Sequence, residues 1–275
     1  MARPRMGFLA EIYHNGLVPR LTVVVGAIAT GLTLVQFAQP LVLNDLPLWI
    51  WGLACAVVLL IAVIQSIPHK SQAYTYEQGG WAVELVRGSL LDYPVNSVLT
   101  SDRQASTRLE VVGAGSLIGQ AIRTWYGGDE EKLECDVKAA LALEPALSRD
   151  KLPLGTLIPI GDRKKLRAWL VCIATRRKDG PRTAWSELAE GYSEMWGNLR
   201  GLVLEEVNCP IVGAGFAGTS LAPRQHLIFL LLSFHGSSLE ARVTPRLRIV
   251  ISQRDFDPRM YRAAHAMLAE LGYQR

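Results

Sequence analysis

The stretch VGAGFAG, residues 212–218, decides how this chain is read. Gly213, Gly215 and Gly218 have GxGxxG spacing, and they sit between an apolar strand-like run and a helix-like one. Without Cβ atoms the backbone can approach a phosphate, and the following helix N-terminus adds free N–H groups and a positive dipole end. A doubly wound dinucleotide domain places this turn after its first strand, with an acidic residue about twenty positions on and the rest of the sheet behind it. Here only one further strand and one further helix follow the loop's own helix, and Glu240 falls in a turn region ahead of Pro245. The turn stands too late in the chain for that fold.

About a hundred residues earlier runs a near echo, VGAGSLIG, from Val112 to Gly119. Two such loops fit a fold that clamps a diphosphate from opposite sides with backbone N–H groups. The candidate contacts are Gly115, Ser116, Leu117, Ile118 and Gly119 in the first loop. In the second they are Val212, Gly213, Ala214, Gly215, Phe216, Ala217 and Gly218.

The surrounding pattern alternates strand-like and helix-like segments. Trp81–Arg87, Val95–Thr100, Arg108–Val112, Leu166–Thr175, Asn208–Val212 and Arg246–Ser252 read as strands, several apolar on both faces as in a covered sheet. Ser116–Trp125, Asp129–Leu143, Thr183–Leu204, Pro223–Phe234 and Pro258–Leu271 read as helices, with Asp129, Glu130 and Glu131 suited to an N-terminus and Pro223 and Pro258 to a first turn. The alternation predicts a three-layer α/β/α domain over residues 81–275.

Ahead of it the composition changes. Residues 21–43 and 47–67 carry no Asp, Glu, Lys or Arg, and they are separated by a turn of Asn44, Asp45 and Leu46. At 1.5 Å per residue the first would span roughly 34 Å, enough for a bilayer core. Arg3, Arg5 and Arg20 lie before the pair, His69 and Lys70 after it, and Trp49 and Trp51 at the turn end. By the positive-inside rule this predicts a two-pass hairpin with both termini cytoplasmic: residues 1–20 an N-terminal segment, 21–43 and 47–67 the crossings, 68–80 a linker. A cleaved signal sequence would have a shorter apolar stretch, and core helices seldom stay uncharged for so long.

The net charge of +4, spread along 275 residues without a basic block, gives no reason to expect a nucleic-acid partner. The four cysteines are far apart, with no CxxC pair, which fits a reducing compartment and argues against zinc. His226 and His235 are nine apart, not a metal-ligand spacing. No GxSxG, HExxH or P-loop lysine occurs, so no metal, cofactor or catalytic residue is expected from motifs. Asp102 at a strand end reads either as a group holding a ribose hydroxyl or as a cap on nearby backbone N–H groups. Arg123 and the aromatics Trp125 and Tyr126 have ligand-contact readings beside the plainer ones of a solvated helix face and core packing. The cluster Arg176, Arg177, Lys178 and Arg182 reads as a solvated turn or, more weakly, a lipid contact.

Taken together, the order of these elements resembles a macro domain, the α/β/α module that binds ADP-ribose. The resemblance covers Trp81 to about Tyr273. Pro210–Gly218 resembles the family's strand and second phosphate loop, with Phe216 placed like the aromatic beside the distal ribose. Gly115–Ile122 resembles the first loop and its helix. Arg87–Leu91 resembles the segment that carries an aspartate for adenine, which implicates Leu90; Ser89 occupies the place of that aspartate, unless Asp92 substitutes. The family's asparagine-rich stretch is replaced by Val98-Leu99-Thr100-Ser101-Asp102. That removes the asparagine associated with ADP-ribosyl hydrolysis.

Two crossings joined to a macro domain resemble the membrane effector of a class of bacterial Thoeris anti-phage systems. The resemblance implies a mixed central sheet and an ADP-ribose-derived ligand, histidine-ADP-ribose, made by a TIR-domain enzyme. It further implies self-association and membrane disruption at the bacterial inner membrane. A membrane-tethered ADP-ribosyl hydrolase and a non-binding membrane scaffold are the alternatives.

Overall fold

The computed structural model describes residues 71–161, 166–177, 180–181, 183–212 and 221–275. The two expected crossings at 21–43 and 47–67, and residues 213–220 of the second glycine loop, lie outside the described residues. So do Lys178, Asp179 and Arg182 of the basic turn. Among the described residues no helix is long and apolar enough to cross a membrane.

The frame is a seven-stranded mixed sheet. In chain order its strands are β1 (Ser71–Tyr76), β2 (Trp81–Arg87), β3 (Val95–Asp102), β4 (Leu157–Ile160), β5 (Arg167–Ala174), β8 (Glu206–Pro210) and β9 (Arg246–Ile251). Two-residue strands β6 (Arg176–Arg177) and β7 (Gly180–Pro181) form a separate ribbon between β5 and β8. The spatial order is β1-β2-β9-β8-β3-β5-β4. The five inner strands are mutually parallel, and β1 and β4 pair antiparallel at the two edges.

Strand periodicity divides the core in two. In β5, Trp169, Val171 and Ile173 enter one apolar cluster while Ala168, Leu170 and Cys172 enter the other, the two-residue alternation of a sheet covered on both faces. Helices α1 (Leu109–Val112), α2 (Leu117–Trp125) and α3 (Glu130–Ala142) supply the second cluster through Val112, Ile118, Ile122, Leu133 and Val137. Helices α4 (Trp185–Gly201), α5 (Pro223–Glu240) and α6 (Pro258–Glu270) supply the first through Tyr192, Trp196, Leu230, Phe234, Ala264 and Leu268. The helix starts follow the expected chemistry. Asp129 accepts from the Glu131 and Lys132 N–H groups at 3.1 and 3.3 Å, and Asp257 from that of Arg259 at 2.9 Å, ahead of Pro258.

Three expectations need correction, and one strand was not expected. Ser71–Tyr76, read as part of a linker, is an edge strand paired residue by residue with β2. Its polar alternation reflects one open face, not a disordered tether. Arg108–Val112, read as a strand, contains the helical turn α1: both neighbours of β3 are already taken by β8 and β5, and the Glu130 carboxylate instead accepts the Leu109 N–H at 2.7 Å. Short β-branched runs follow tertiary context more than propensity. The helix read as Pro223–Phe234 continues through Gly236 to Glu240. Finally, β4 was unforeseen: Pro159 in its middle argues against an inner strand but is compatible with this sheet edge.

Candidate functional site

The parallel strands β2, β9, β8 and β3 end on the same side of the sheet, where an open α/β sheet offers a crevice. The segment after β2 is anchored by the Gly88 N–H donating to the Ile251 carbonyl at 3.0 Å. Ser89 then caps a 3-10 turn over Leu90–Asp92, its Oγ accepting from the Leu91 N–H at 3.2 Å. The Leu90 side chain is buried in the α1–α3 cluster, whereas Asp92 is exposed.

Asp102 closes β3 as a cap. One carboxylate oxygen accepts from the Gln104 and Ser106 N–H groups at 3.1 and 3.0 Å, and the other from Ser106 Oγ at 2.7 Å. Of its two sequence readings, the structure displays the capping one. The turn it holds is braced from below: Arg149 donates to the Gln104 and Ala105 carbonyls and pairs with Glu134, which also accepts from Thr107 Oγ1 at 2.6 Å. Hydrogen bonding to Arg149 holds the Glu134 carboxyl at about 2, well below the usual carboxylate range, against the opposing effect of burial. Beside this brace lies a surface cleft of about 270 Å³ lined by Gln104, Ser106, Thr107, Arg108, Val111, Glu134 and Arg149. It adjoins the Asp102 turn.

The first glycine loop is built by its own helix. Ser116 is the N-cap of α2: its Oγ donates to the Gly113 carbonyl at 2.8 Å and accepts from the Gly119 N–H at 3.0 Å. Gln120 Nε2 donates to the Gly115 carbonyl at 3.0 Å and the Arg123 guanidinium to the Ala114 carbonyl at 2.8 Å. Three consecutive carbonyls are thus turned back onto the helix, while helix geometry leaves the Leu117 and Ile118 N–H groups without intrahelical acceptors. The glycines divide in role. A Cβ on Gly119 would lie 2.4 Å from the Gly113 carbonyl oxygen and 2.9 Å from Ala114 Cα, whereas one on Gly115 meets nothing within 4 Å. Gly119 is required by packing and Gly115 faces open space.

Of the second loop, Gly213, Ala214, Gly215, Phe216, Ala217 and Gly218 lie outside the described residues, but its root is fixed. Val212 is fully buried, and its carbonyl accepts from the buried Tyr192 hydroxyl at 2.7 Å. Burial pushes that phenol well above its ordinary range, so it stays a donor.

Trp125 and Tyr126 serve the scaffold, donating to the Leu91 carbonyl at 3.2 Å and to Asp136 at 2.8 Å. His226 and His235 are buried, and burial lowers the pKa of each. Sequence reading missed a pair at the ends of β2 and β9. The Arg87 guanidinium lies over the Phe256 ring, 4.3 Å from its centroid, and Phe256 in turn meets Tyr261 edge-on at 5.3 Å. These residues end β2 and follow β9, so they border the Ser89 segment. The available signal was the polar turn SQRDFD straight after an apolar strand.

The family profile described as "Thoeris protein ThsA, Macro domain" matches residues 83–252, more than half of the chain. The chain belongs to the Thoeris ThsA macro-domain family. The match begins inside β2 and ends one residue past β9, so it takes in both glycine loops, β3, β5, β8 and β9, and most of β2. Among solved structures the chain is similar to an asparagine-to-alanine variant of the Oceanobacillus iheyensis macrodomain, at 17% identity and a TM-score of 0.52, covering 74% of this chain and 96% of that one. An aspartate-to-alanine variant of the same macrodomain gives 17% identity and a TM-score of 0.51, covering 74% and 98%. At this identity the likeness establishes a shared fold. No curated protein matches the chain.

Proposed function

We propose that this protein is a membrane-anchored sensor. Its macro domain binds an ADP-ribose-derived signal, histidine-ADP-ribose by family resemblance, made by a TIR-domain enzyme. The occupied domains then self-associate, and the expected hairpin at residues 21–67 clusters and disrupts the bilayer of the bacterial inner membrane. The observation that carries the reading is the family match spanning both glycine loops, combined with a first loop whose open glycine, Gly115, precedes the unfilled N–H groups of α2. A diphosphate between this loop and the second would meet backbone donors from two sides. Adenine would then fall toward Ser89, Arg87 and Phe256, where stacking replaces the missing aspartate contact.

Sensing is favoured over hydrolysis by the β3 turn. Asp102 is engaged by three donors, and no asparagine stands between Val98 and Asp102 to position a water. A ligand shifts an assembly equilibrium only by its differential affinity for the two states, so the signal must bind the assembled form more tightly. The test is dye release from liposomes carrying the full chain, with chromatography of the added nucleotide. Release triggered by histidine-ADP-ribose, with the nucleotide recovered intact, supports the sensor. Conversion of the nucleotide supports the tethered hydrolase, and no release with no binding supports the scaffold.

A further inference from the structure

The end of the sheet that carries the crevice is also where the chain enters the domain, since Ser71 pairs with Val86 at the end of β2. Tyr74, three residues on, meets His265 of α6 with ring centroids 5.8 Å apart. That helix begins at the same end, tied there by Phe256 under Arg87. Its residues Arg259, Arg262 and His265 are all exposed and recur every three positions, which puts them along one side of the helix, and Arg254 is exposed in the turn before it.

Among the described residues Arg254, Arg259 and Arg262 have no ion pair and no side-chain hydrogen bond, whereas Arg149, Arg200 and Arg248 are each paired to a carboxylate. The nearby acids are occupied: Asp255 accepts from Ser252 Oγ at 2.8 Å, and Asp257 from the Arg259 N–H at 2.9 Å. Three unpaired guanidinium groups at one end of the domain form a surface complementary to an extended array of anions.

Charge and the nearness in sequence of an uncharged run point to one such array. The uncharged run 47–67 ends four residues before Ser71, a reach of at most about 14 Å at 3.3–3.6 Å per residue. Electrostatic attraction to an anionic leaflet decays over about 8 Å at physiological salt, so unpaired arginines feel that field only when the surface that carries them lies against the headgroups. We propose that Arg254, Arg259 and Arg262 dock this end of the domain on anionic phospholipid headgroups. The inference rests on the reading that residues 21–67 enter a bilayer.

The test uses the full chain in lipid nanodiscs of phosphatidylcholine alone or with about one-third phosphatidylglycerol, read by hydrogen exchange of the α6 amides. Each arginine near an anionic surface strengthens binding roughly fivefold, so exchange over residues 259–266 should slow about tenfold or more in the anionic discs. R254E/R259E/R262E should abolish the slowing while exchange in β5 stays unchanged, and about 0.5 M salt should do the same by screening. Equal exchange in both discs, or slowing that survives charge reversal, overturns docking. Flotation with phosphatidylcholine vesicles separates the two claims: a chain that floats without lipid-dependent exchange loses docking and keeps its anchor, and one that does not float loses both. If charge reversal weakens calorimetric binding of ADP-ribose and leaves exchange equal in both discs, the arginines serve the nucleotide and the docking proposal fails.

Discussion

Gly115 and Gly119 stand four residues apart in the same loop, yet replacing each with alanine should do opposite things. On Gly119 the added methyl would sit 2.4 Å from the Gly113 carbonyl oxygen and 2.9 Å from Ala114 Cα. Both obstacles are backbone, so the loop must move by about an ångström, stretching the Ser116 cap; overpacking of this kind costs about 1–3 kcal/mol. For a domain of this size that is a fall of roughly 2–10 °C in midpoint. On Gly115 the methyl meets nothing within 4 Å, and G115A should therefore stay within about 0.5 kcal/mol of the parent. If phosphate approaches the loop here, that same methyl occupies its path, and affinity for the ADP-ribose ligand should fall tenfold or more, about 1.4 kcal/mol. Thermal unfolding by near-UV circular dichroism and titration calorimetry on the same samples read both quantities. Equal destabilisation by G115A and G119A would refute the division of roles, and unchanged affinity in a well-folded G115A would refute the placement of phosphate.

Removing Arg248 with R248L should cost about 3 kcal/mol by denaturant titration, because Glu84, at 2.9 Å, and Asn208 Oδ1, also at 2.9 Å, lose their partner in a largely buried setting; the double variant R248L/E84L should recover part of it. E134Q should weaken the domain at neutral pH, and the gap should close in acid. The folded carboxyl titrates at about 2, so its contribution is complete above the ordinary Glu range near 4.5 and is lost as pH falls toward 2, which urea midpoints against pH will show. His226 and His235 have the reverse cause: burial lowers their pKa, the unfolded chain takes up protons first, and stability should decline as pH drops below about 6.5. H235Q should flatten that decline. Among the described cysteines, exposed Cys135 should react with a thiol reagent in the folded state, while buried Cys172, its thiol pushed to about 12, and Cys209 should wait for unfolding, as a reagent titration with and without denaturant will record.

Much of the fold was legible because its signals are local. Trp81, Val83 and Leu85 alternate with less buried neighbours, Asp129 and Asp257 are capping residues followed by helical periodicity, and the two-sided apolarity of Leu170–Ala174 marks an inner strand. What could not be read locally was decided by partners far along the chain. Leu109–Val112 has strand composition, but strand β3 had no free edge, and Glu130 across the turn took its first N–H. Ser71–Tyr76 looks like a tether until β2 is there to pair with it. The site shows the same division. The glycines of the first loop announced a turn, but only packing separates Gly119 from Gly115, and only geometry shows Arg123 holding a carbonyl and Asp102 holding its own turn. Arg87 and Phe256 come together from segments about 170 residues apart, and no spacing in the sequence connects them.

The central claim is that the domain binds an ADP-ribose derivative between the two glycine loops. Titration calorimetry of the purified full chain in detergent with ADP-ribose, NAD, cyclic ADP-ribose and histidine-ADP-ribose tests it most directly. Saturable binding of an ADP-ribose derivative, weakened at least tenfold in G115A and in G215V, is the predicted result. A folded chain that binds none of the four, or one whose binding survives both substitutions, would contradict it.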